Sequence, residues 1–445
     1  MSGRARVIVP ALLVLLVVIA GTVLGGGLRL EGKPGATLAA GASGAGATAG
    51  SATDGTEATP IPTPTERPDL GGTELYGYVP YWQMTDSMAS YLRDSPVSTL
   101  LLFSVTSRKS GALNTSATGY RRITGPIGQR LIADAHHRGG RVELVFSSFG
   151  ADKNAGFFGR VVPLPSPSVE PSGPSPTPGA IGTLAPVPTA GPPPWQQTVG
   201  ALVALAKDLD VDGINVDVET LDALDRPAYG EFLSALRSAL VASQPRARLT
   251  VATEAGPRGA GNAATAAQAG VDRVFLMGYD YHWSGSQPGA SSPIDRNDGL
   301  YSLRWSIDAY VEAGVPRDHI LLGLPLYGMQ WRTDGIDRTS PVIGQGVVWI
   351  PGKHADVLLA RDFEPFRDEL EHVEYIVQPD VVGYLQTWYD SPATLRLKLA
   401  LARDNGLAGA GFWALGYERG LPGYVDLMRA FRDGKVSRDE APPRP

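Results

Sequence analysis

The chain contains no cysteine, which excludes disulfides, thiolate metal sites and cysteine nucleophiles. Histidine is sparse: six residues lie scattered without the spacing of metal ligands, so neither a metal nor any other cofactor is implied. Positive charge is also short. With a net charge of −6, a pI near 5.6, no Lys/Arg cluster and no nucleic-acid motif, the sequence gives no reason to expect a nucleic-acid partner. A monomer is expected. What is present is apolar mass: 445 residues at 43% hydrophobic and 19% charged can bury one large core.

Arg4 and Arg6 precede an apolar run from Val7 to Leu24. At 1.5 Å per residue it would span about 27 Å, close to the thickness of a bilayer core. The run is long for a signal-peptide core, and the small-residue site Ala40-Gly41-Ala42 lies far downstream. Residues 1–27 therefore read as an N-terminal transmembrane anchor in preference to a cleaved signal peptide. Both place the body outside the cytoplasm, and the first adds a membrane attachment. Residues 28–73, rich in Gly, Ala, Ser, Thr and Pro, read as a disordered linker, with the folded domain beginning near Glu74.

From there to about residue 432, short apolar runs alternate with helical patterns. Eight strand candidates fall at 76–82, 97–106, 141–148, 211–219, 249–254, 271–280, 320–327 and 409–415. Amphipathic runs at 125–138, 197–209, 228–243, 300–313 and 392–405 lie between them. Alternation of this kind predicts a (β/α)8 barrel, a TIM barrel. Residues 163–194, nearly all Pro, Ser, Gly, Ala and Thr, read as a disordered insertion emerging on the catalytic face. The charged, Pro-rich tail 433–445 is expected to fray.

The fourth strand carries the chemistry. In Val211-Asp212-Gly213-Ile214-Asn215-Val216-Asp217-Val218-Glu219, strand alternation puts Asn215, Asp217 and Glu219 on one face and Ile214, Val216 and Val218 on the other. Residues two apart on a strand sit roughly 6.5 to 7 Å apart, so the carboxyls of Asp217 and Glu219 can interact. Two acids that close disfavour joint ionisation, which holds a proton on one of them near neutral pH. A lone D-x-E triplet more often just faces solvent. An apolar run ending in two in-line carboxylates fits the C-terminal end of a buried parallel strand, where barrel enzymes keep catalytic groups.

These nine residues resemble the D-G-x-D-x-D-x-E signature of glycoside hydrolase family 18, the chitinases and their relatives. Further motifs agree in order. Met277-Gly278-Tyr279-Asp280-Tyr281-His282-Trp283 resembles the family's M-x-Y-D strand end, and Gly323-Leu324-Pro325-Leu326-Tyr327-Gly328 resembles G-x-P-x-Y-G. Gly411-Phe412-Trp413 places a Trp where the family has the floor of its cleavage subsite, and Tyr78 on the first strand is similar in kind. The resemblance implies retaining, substrate-assisted hydrolysis of glycans containing N-acetylglucosamine. It makes Glu219 the general acid/base, with Asp217 and Tyr279 stabilising an oxazolinium ion and Asn215 orienting Asp217. Asp280, Trp413, Tyr327, Met277, Tyr78 and Trp283 become the substrate-binding set, since aromatic planes stack on sugar C–H faces and polar tips bind the amides.

Three departures stand out. Position 215 is Asn where the family most often has Asp, which resembles a branch with spore-wall hydrolases. Met329 stands where many chitinases carry Arg, and 330–381 is short for the α+β insertion of processive enzymes, pointing to an open cleft. Trp388 reads equally well as packing or as site. A non-hydrolytic, lectin-like wall protein on the same barrel is the alternative, but both Asp217 and Glu219 are present. A stalked structural protein would explain neither the carboxylates nor the Tyr-Asp motif. Chitin, peptidoglycan and N-glycan cores all offer the needed acetamide.

Overall fold

The computed structural model describes residues 72–160, 191–360 and 364–438. The expected anchor or signal, nearly all of the linker, the insertion up to residue 190 and the last seven tail residues lie outside the described residues. Thirteen strands follow in chain order: β1 (Glu74–Pro80), β2 (Thr99–Val105), β3 (Arg141–Phe149), β4 (Gly213–Glu219), β5 (Arg248–Glu254), β6 (Arg273–Met277), β7 (Ile320–Pro325), β8 (Gly328–Thr333), β9 (Val347–Trp349), β10 (Phe366–Asp368), β11 (Val373–Pro379), β12 (Tyr384–Tyr389) and β13 (Gly409–Trp413).

Strands β1 to β7 and β13 close into a barrel of order β1-β13-β7-β6-β5-β4-β3-β2, parallel at every pairing. With its flanking helices this is the expected (β/α)8 barrel, and each strand candidate overlaps one barrel strand. The five amphipathic runs form helices Pro126–His137, Pro194–Asp208, Arg226–Ser243, Leu303–Glu312 and Pro392–Asp404. Pro126, Pro194 and Pro392 sit in the first turn of their helices, where a missing N–H costs nothing. Pro194 thus belongs to a helix rather than to the insertion that was expected to end on it. Helix Pro257–Gln268 escaped the sequence reading because its buried face is made of Ala260, Ala263 and Ala266 rather than large apolar residues.

The strands separate two apolar cores. Ile214, Val216 and Val218 point outward into the large core under the helices. Tyr76, Tyr78, Leu101, Phe103, Val145, Ala252, Phe275, Met277 and Leu321 fill the barrel itself. The Phe275 ring crosses that interior because two facing residues lack a side chain: a Cβ on Gly323 or Gly411 would lie 2.2 or 2.5 Å from the ring.

Between β7 and helix Pro392–Asp404 the chain builds an antiparallel sheet of order β10-β11-β12-β8-β9, so the segment expected only to be short is an organised five-stranded unit. Met329 is 2% exposed and pairs with Trp388 across that sheet. Trp388 is 1% exposed and stacks on Tyr375 with centroids 4.2 Å apart, which makes it packing. The described part of the tail packs on the barrel beyond Asp433: Val436 is 1% exposed and its carbonyl accepts a hydrogen bond from Arg403.

Candidate active site

Strand β4 enters the barrel mouth with Asn215 and Asp217 buried inside and Glu219 half-buried at its end. Asn215 is held on two sides. Tyr78 on β1 donates its O–H to Asn215 Oδ1 (3.1 Å), and Asn215 Nδ2 donates to Thr250 Oγ1 on β5 (2.8 Å). Thr250 Oγ1 in turn donates to Glu143 Oε2 (2.5 Å), and Tyr76 donates to Glu143 Oε1 (3.3 Å). This corrects one expectation: the amide of Asn215 is committed to Tyr78 and Thr250, not to orienting Asp217. An amide can donate to Thr250 while accepting from Tyr78, which a carboxylate cannot do. Asp217 Oδ1 is instead buried with no hydrogen-bond partner.

A buried acid without a donor resists ionisation. Burial raises the Asp217 carboxyl well above its usual range, and the neighbouring Glu254 raises it further. Glu219 is also pushed well up, by burial first and then by the charges of Asp217, Glu254 and Asp280, with Arg258 acting against them. The cluster thus keeps a transferable proton near neutral pH. Glu219 is fixed from behind: its carbonyl accepts from Asn154 Nδ2 (2.5 Å) and from Thr220 Oγ1 (2.6 Å).

The β6 end supplies a second wall. Met277 lines the barrel interior, and Tyr279 packs against that same core. Asp280 adopts a left-handed backbone (φ 61°), a conformation that costs about 1–3 kcal/mol in a non-glycine residue and turns the chain sharply out of the strand. Its N–H donates to Ser291 Oγ (3.1 Å), and Tyr327 donates a short O–H bond to Asp280 Oδ1. Burial lifts the Asp280 carboxyl to about 6, while the Tyr327 bond pulls the other way. The rings of Tyr279 and Tyr327 meet edge-on with centroids 6.2 Å apart. The phenols of Tyr78, Tyr279 and Tyr327 are pushed up by burial, so all three remain O–H donors.

Trp413, at the end of β13, is the centre of an aromatic wall. Its ring lies 4.8 Å from Phe103, 5.3 Å from Tyr78 and 6.3 Å from Trp82, and Phe149 joins through Phe103 at 6.2 Å. Asn215, Asp217, Glu219, Tyr78, Met277, Tyr279, Asp280, Tyr327 and Trp413 therefore gather around one barrel mouth. Trp283 follows three residues after Asp280, and its ring packs on Gly285 within a turn closed by Ser286. Phe103, Phe149, Trp82 and Glu254 were not singled out in the sequence. Strand alternation marks Glu254, which continues the inward face of Thr250 and Ala252. Among the described residues no group of three or more His, Asp or Glu is arranged to hold a metal ion.

A carboxyl pair at a parallel strand end, ringed by tyrosine donors and an aromatic wall, can protonate a leaving oxygen beside a bound sugar ring. Comparison with known proteins points the same way. The family model described as "Glycosyl hydrolases family 18" matches residues 196–418, half of the chain. "Chitinase 1" of Aphanocladium album is 29% identical over 254 residues, covering 53% of this chain and 59% of that protein. The "Cortical fragment-lytic enzyme" of Bacillus anthracis is 24% identical over 234 residues, covering 48% and 49%. The chain thus spans about half the length of the curated relatives it matches. A family 18 chitinase from Cycas revoluta, solved in complex with (GlcNAc)3, superposes with a TM-score of 0.60 at 17% identity, covering 82% of this chain and all of that one.

Proposed function

Because the chain belongs to glycosyl hydrolase family 18, we propose that its barrel mouth cleaves β-linked N-acetylglucosamine glycans with retention at the anomeric carbon. The observation that carries this reading is the pair formed by Glu219, whose proton is held by burial and neighbouring charge, and Asp217, whose Oδ1 is buried without a partner. Glu219 gives its proton to the glycosidic oxygen as the C1–O bond breaks. The substrate's own 2-acetamido oxygen closes on C1, and the amide N–H finds its acceptor in Asp217. Tyr279 donates to the acetamide oxygen, and the positive charge of the oxazolinium ion rests beside the acidic cluster. Water then attacks C1, gives its proton to Glu219, and the acetamide C–O bond reopens with the original anomer restored.

The remaining site residues take supporting roles in this proposal. Trp413 forms the floor under the ring at the cleavage point, Asp280 and Tyr327 fix hydroxyl or acetamide groups, and Met277 and Tyr78 shape the pocket base. Trp283 would add a stacking face for a further sugar ring. The names of the matched relatives support both chitin and spore-cortex glycan as substrate classes. The Asn at position 215 favours a wall glycan. The apolar run from Val7 to Leu24 supports a site of action outside the cytoplasm, with the membrane as a second partner if the segment is retained.

The test is to incubate the full chain, purified in detergent, with chitooligosaccharides and with purified peptidoglycan. Initial products are read by proton NMR before mutarotation. The β-anomer should form first. Initial α-anomer, or binding of either glycan without cleavage, would overturn the mechanism.

A further inference from the structure

Glu254 has no role in the mechanism above, yet it sits beside the acid. On the β4–β5 interface Asn215 pairs with Thr250 and Asp217 with Ala252, so two residues further on Glu254 stands alongside Glu219. Its Oε1 accepts the backbone N–H of Thr220 (2.9 Å), the residue that follows Glu219. Thr220 is left-handed (φ 60°), a backbone that a β-branched side chain resists, and it is pinned by three bonds. Besides the bond to Glu254, its Oγ1 donates to the Glu219 carbonyl and accepts from the N–H of Gly150 (3.2 Å). Without the acceptor at Glu254, nothing else described takes the Thr220 N–H. The second oxygen, Oε2, is buried with no hydrogen-bond partner. The countercharge is loose: Arg258 Nε, on a 42% exposed side chain, lies 3.7 Å from Oε1.

We propose, building on the hydrolase reading, that Glu254 is a positioning residue. It clamps the backbone behind Glu219 and, as the third acid of the cluster, keeps the proton on Glu219. The charged and titratable groups around Glu219 come from several elements: Asp217 on β4, Glu254 on β5, Tyr279 and Asp280 after β6, Tyr78 on β1 and Arg258 on helix Pro257–Gln268. Tyr310 and Tyr229 flank Glu254 itself, the first donating to its backbone carbonyl (2.7 Å). Of these, Glu254 and Arg258 bear opposite charges and touch each other, so they should move the acid in opposite directions. A carboxylate with one oxygen buried and unbonded is costly for a fold to keep, and holding a neighbour's proton gives it a use.

The test runs three variants on a fluorogenic chitobioside, following kcat and KM across pH. Glu254→Gln keeps an oxygen for the Thr220 N–H and removes the charge. Its alkaline limb in kcat/KM should fall by about one pH unit, with KM within about twofold of the parent. Arg258→Ala should move the same limb upward. Glu254→Ala, which also releases Thr220, should lose about tenfold in kcat at every pH, and Glu254→Gln should restore that loss at acidic pH. A purely structural Glu254 would leave the limb fixed in both charge variants, and that result overturns the proposal. If the parent turns over no glycan, the hydrolase reading fails on its own. The Glu219 carboxyl titration, followed by carbon-13 NMR and assigned with Glu219→Gln, then decides the electrostatic claim: opposite shifts in the two variants support it, and a fixed midpoint refutes it.

Discussion

Replacing Glu143 by glutamine should stabilise the protein by an amount that grows with pH. Glu143 points into the barrel from β3 and is fully buried. Burial pushes its carboxyl up to about 8, and Glu74 adds to this, against the bonds and charge from Thr250, Arg248 and Tyr76. In the unfolded chain a Glu titrates near 4.3. The folded state therefore holds the proton over a range in which the unfolded state has released it. Stability from this group is complete below about pH 4.3 and is lost as pH rises through about 8. At about 1.4 kcal/mol per pH unit, the span of about 3.7 units amounts to on the order of 5 kcal/mol. Glutamine has the same shape, cannot ionise and still offers an oxygen to the Thr250 hydroxyl. Urea unfolding of parent and variant at pH 5 and pH 8.5 isolates the group, because other titrations cancel in the difference. The variant should exceed the parent by under about 1 kcal/mol at pH 5 and by several kcal/mol at pH 8.5. An equal gap at both pH values would refute the reasoning.

Tyr327→Phe removes the O–H that holds Asp280. A hydrogen bond to a charged group is worth about 1.5–3 kcal/mol, so kcat/KM should fall roughly 10- to 150-fold. The Asp280 titration, already lifted by burial, should move higher still, because the lost bond acted to lower it; an unchanged midpoint in carboxyl NMR would break the assignment. Trp413→Ala opens the wall shared with Phe103 and Tyr78. Losing about 1 kcal/mol or more of ring contact should weaken chitotriose binding at least fivefold in a calorimetric titration. Undiminished binding would place the sugar elsewhere.

The barrel was legible because parallel strands buried on both faces read as apolar runs, as β2 does with Leu100, Leu101, Leu102 and Phe103 in succession. The alternation of β4 gave the faces correctly: Ile214, Val216 and Val218 went to the outer core, and Asn215 and Asp217 to the mouth. The small sheet was not legible. Strands β9 and β10 are three residues each, with Val347, Val348 and Phe366 exposed, so neither length nor alternation marks them. The partners of Asn215 lie 137 and 35 residues away, out of reach of local pattern. Glu254 follows the alternation of Thr250 and Ala252, but its place beside the β4 acids is a contact between strands that no local motif records.

The most direct measurement sets the full chain beside Glu219→Gln on chitooligosaccharides and peptidoglycan, with products sized by mass and folding checked by circular dichroism. The variant should keep its fold, since the substitution removes one of several crowded carboxylates, and should keep its glycan binding. Turnover should fall by roughly 10² to 10⁴ or more. A folded variant that cleaves as fast as its parent would contradict the assignment of Glu219 as the acid.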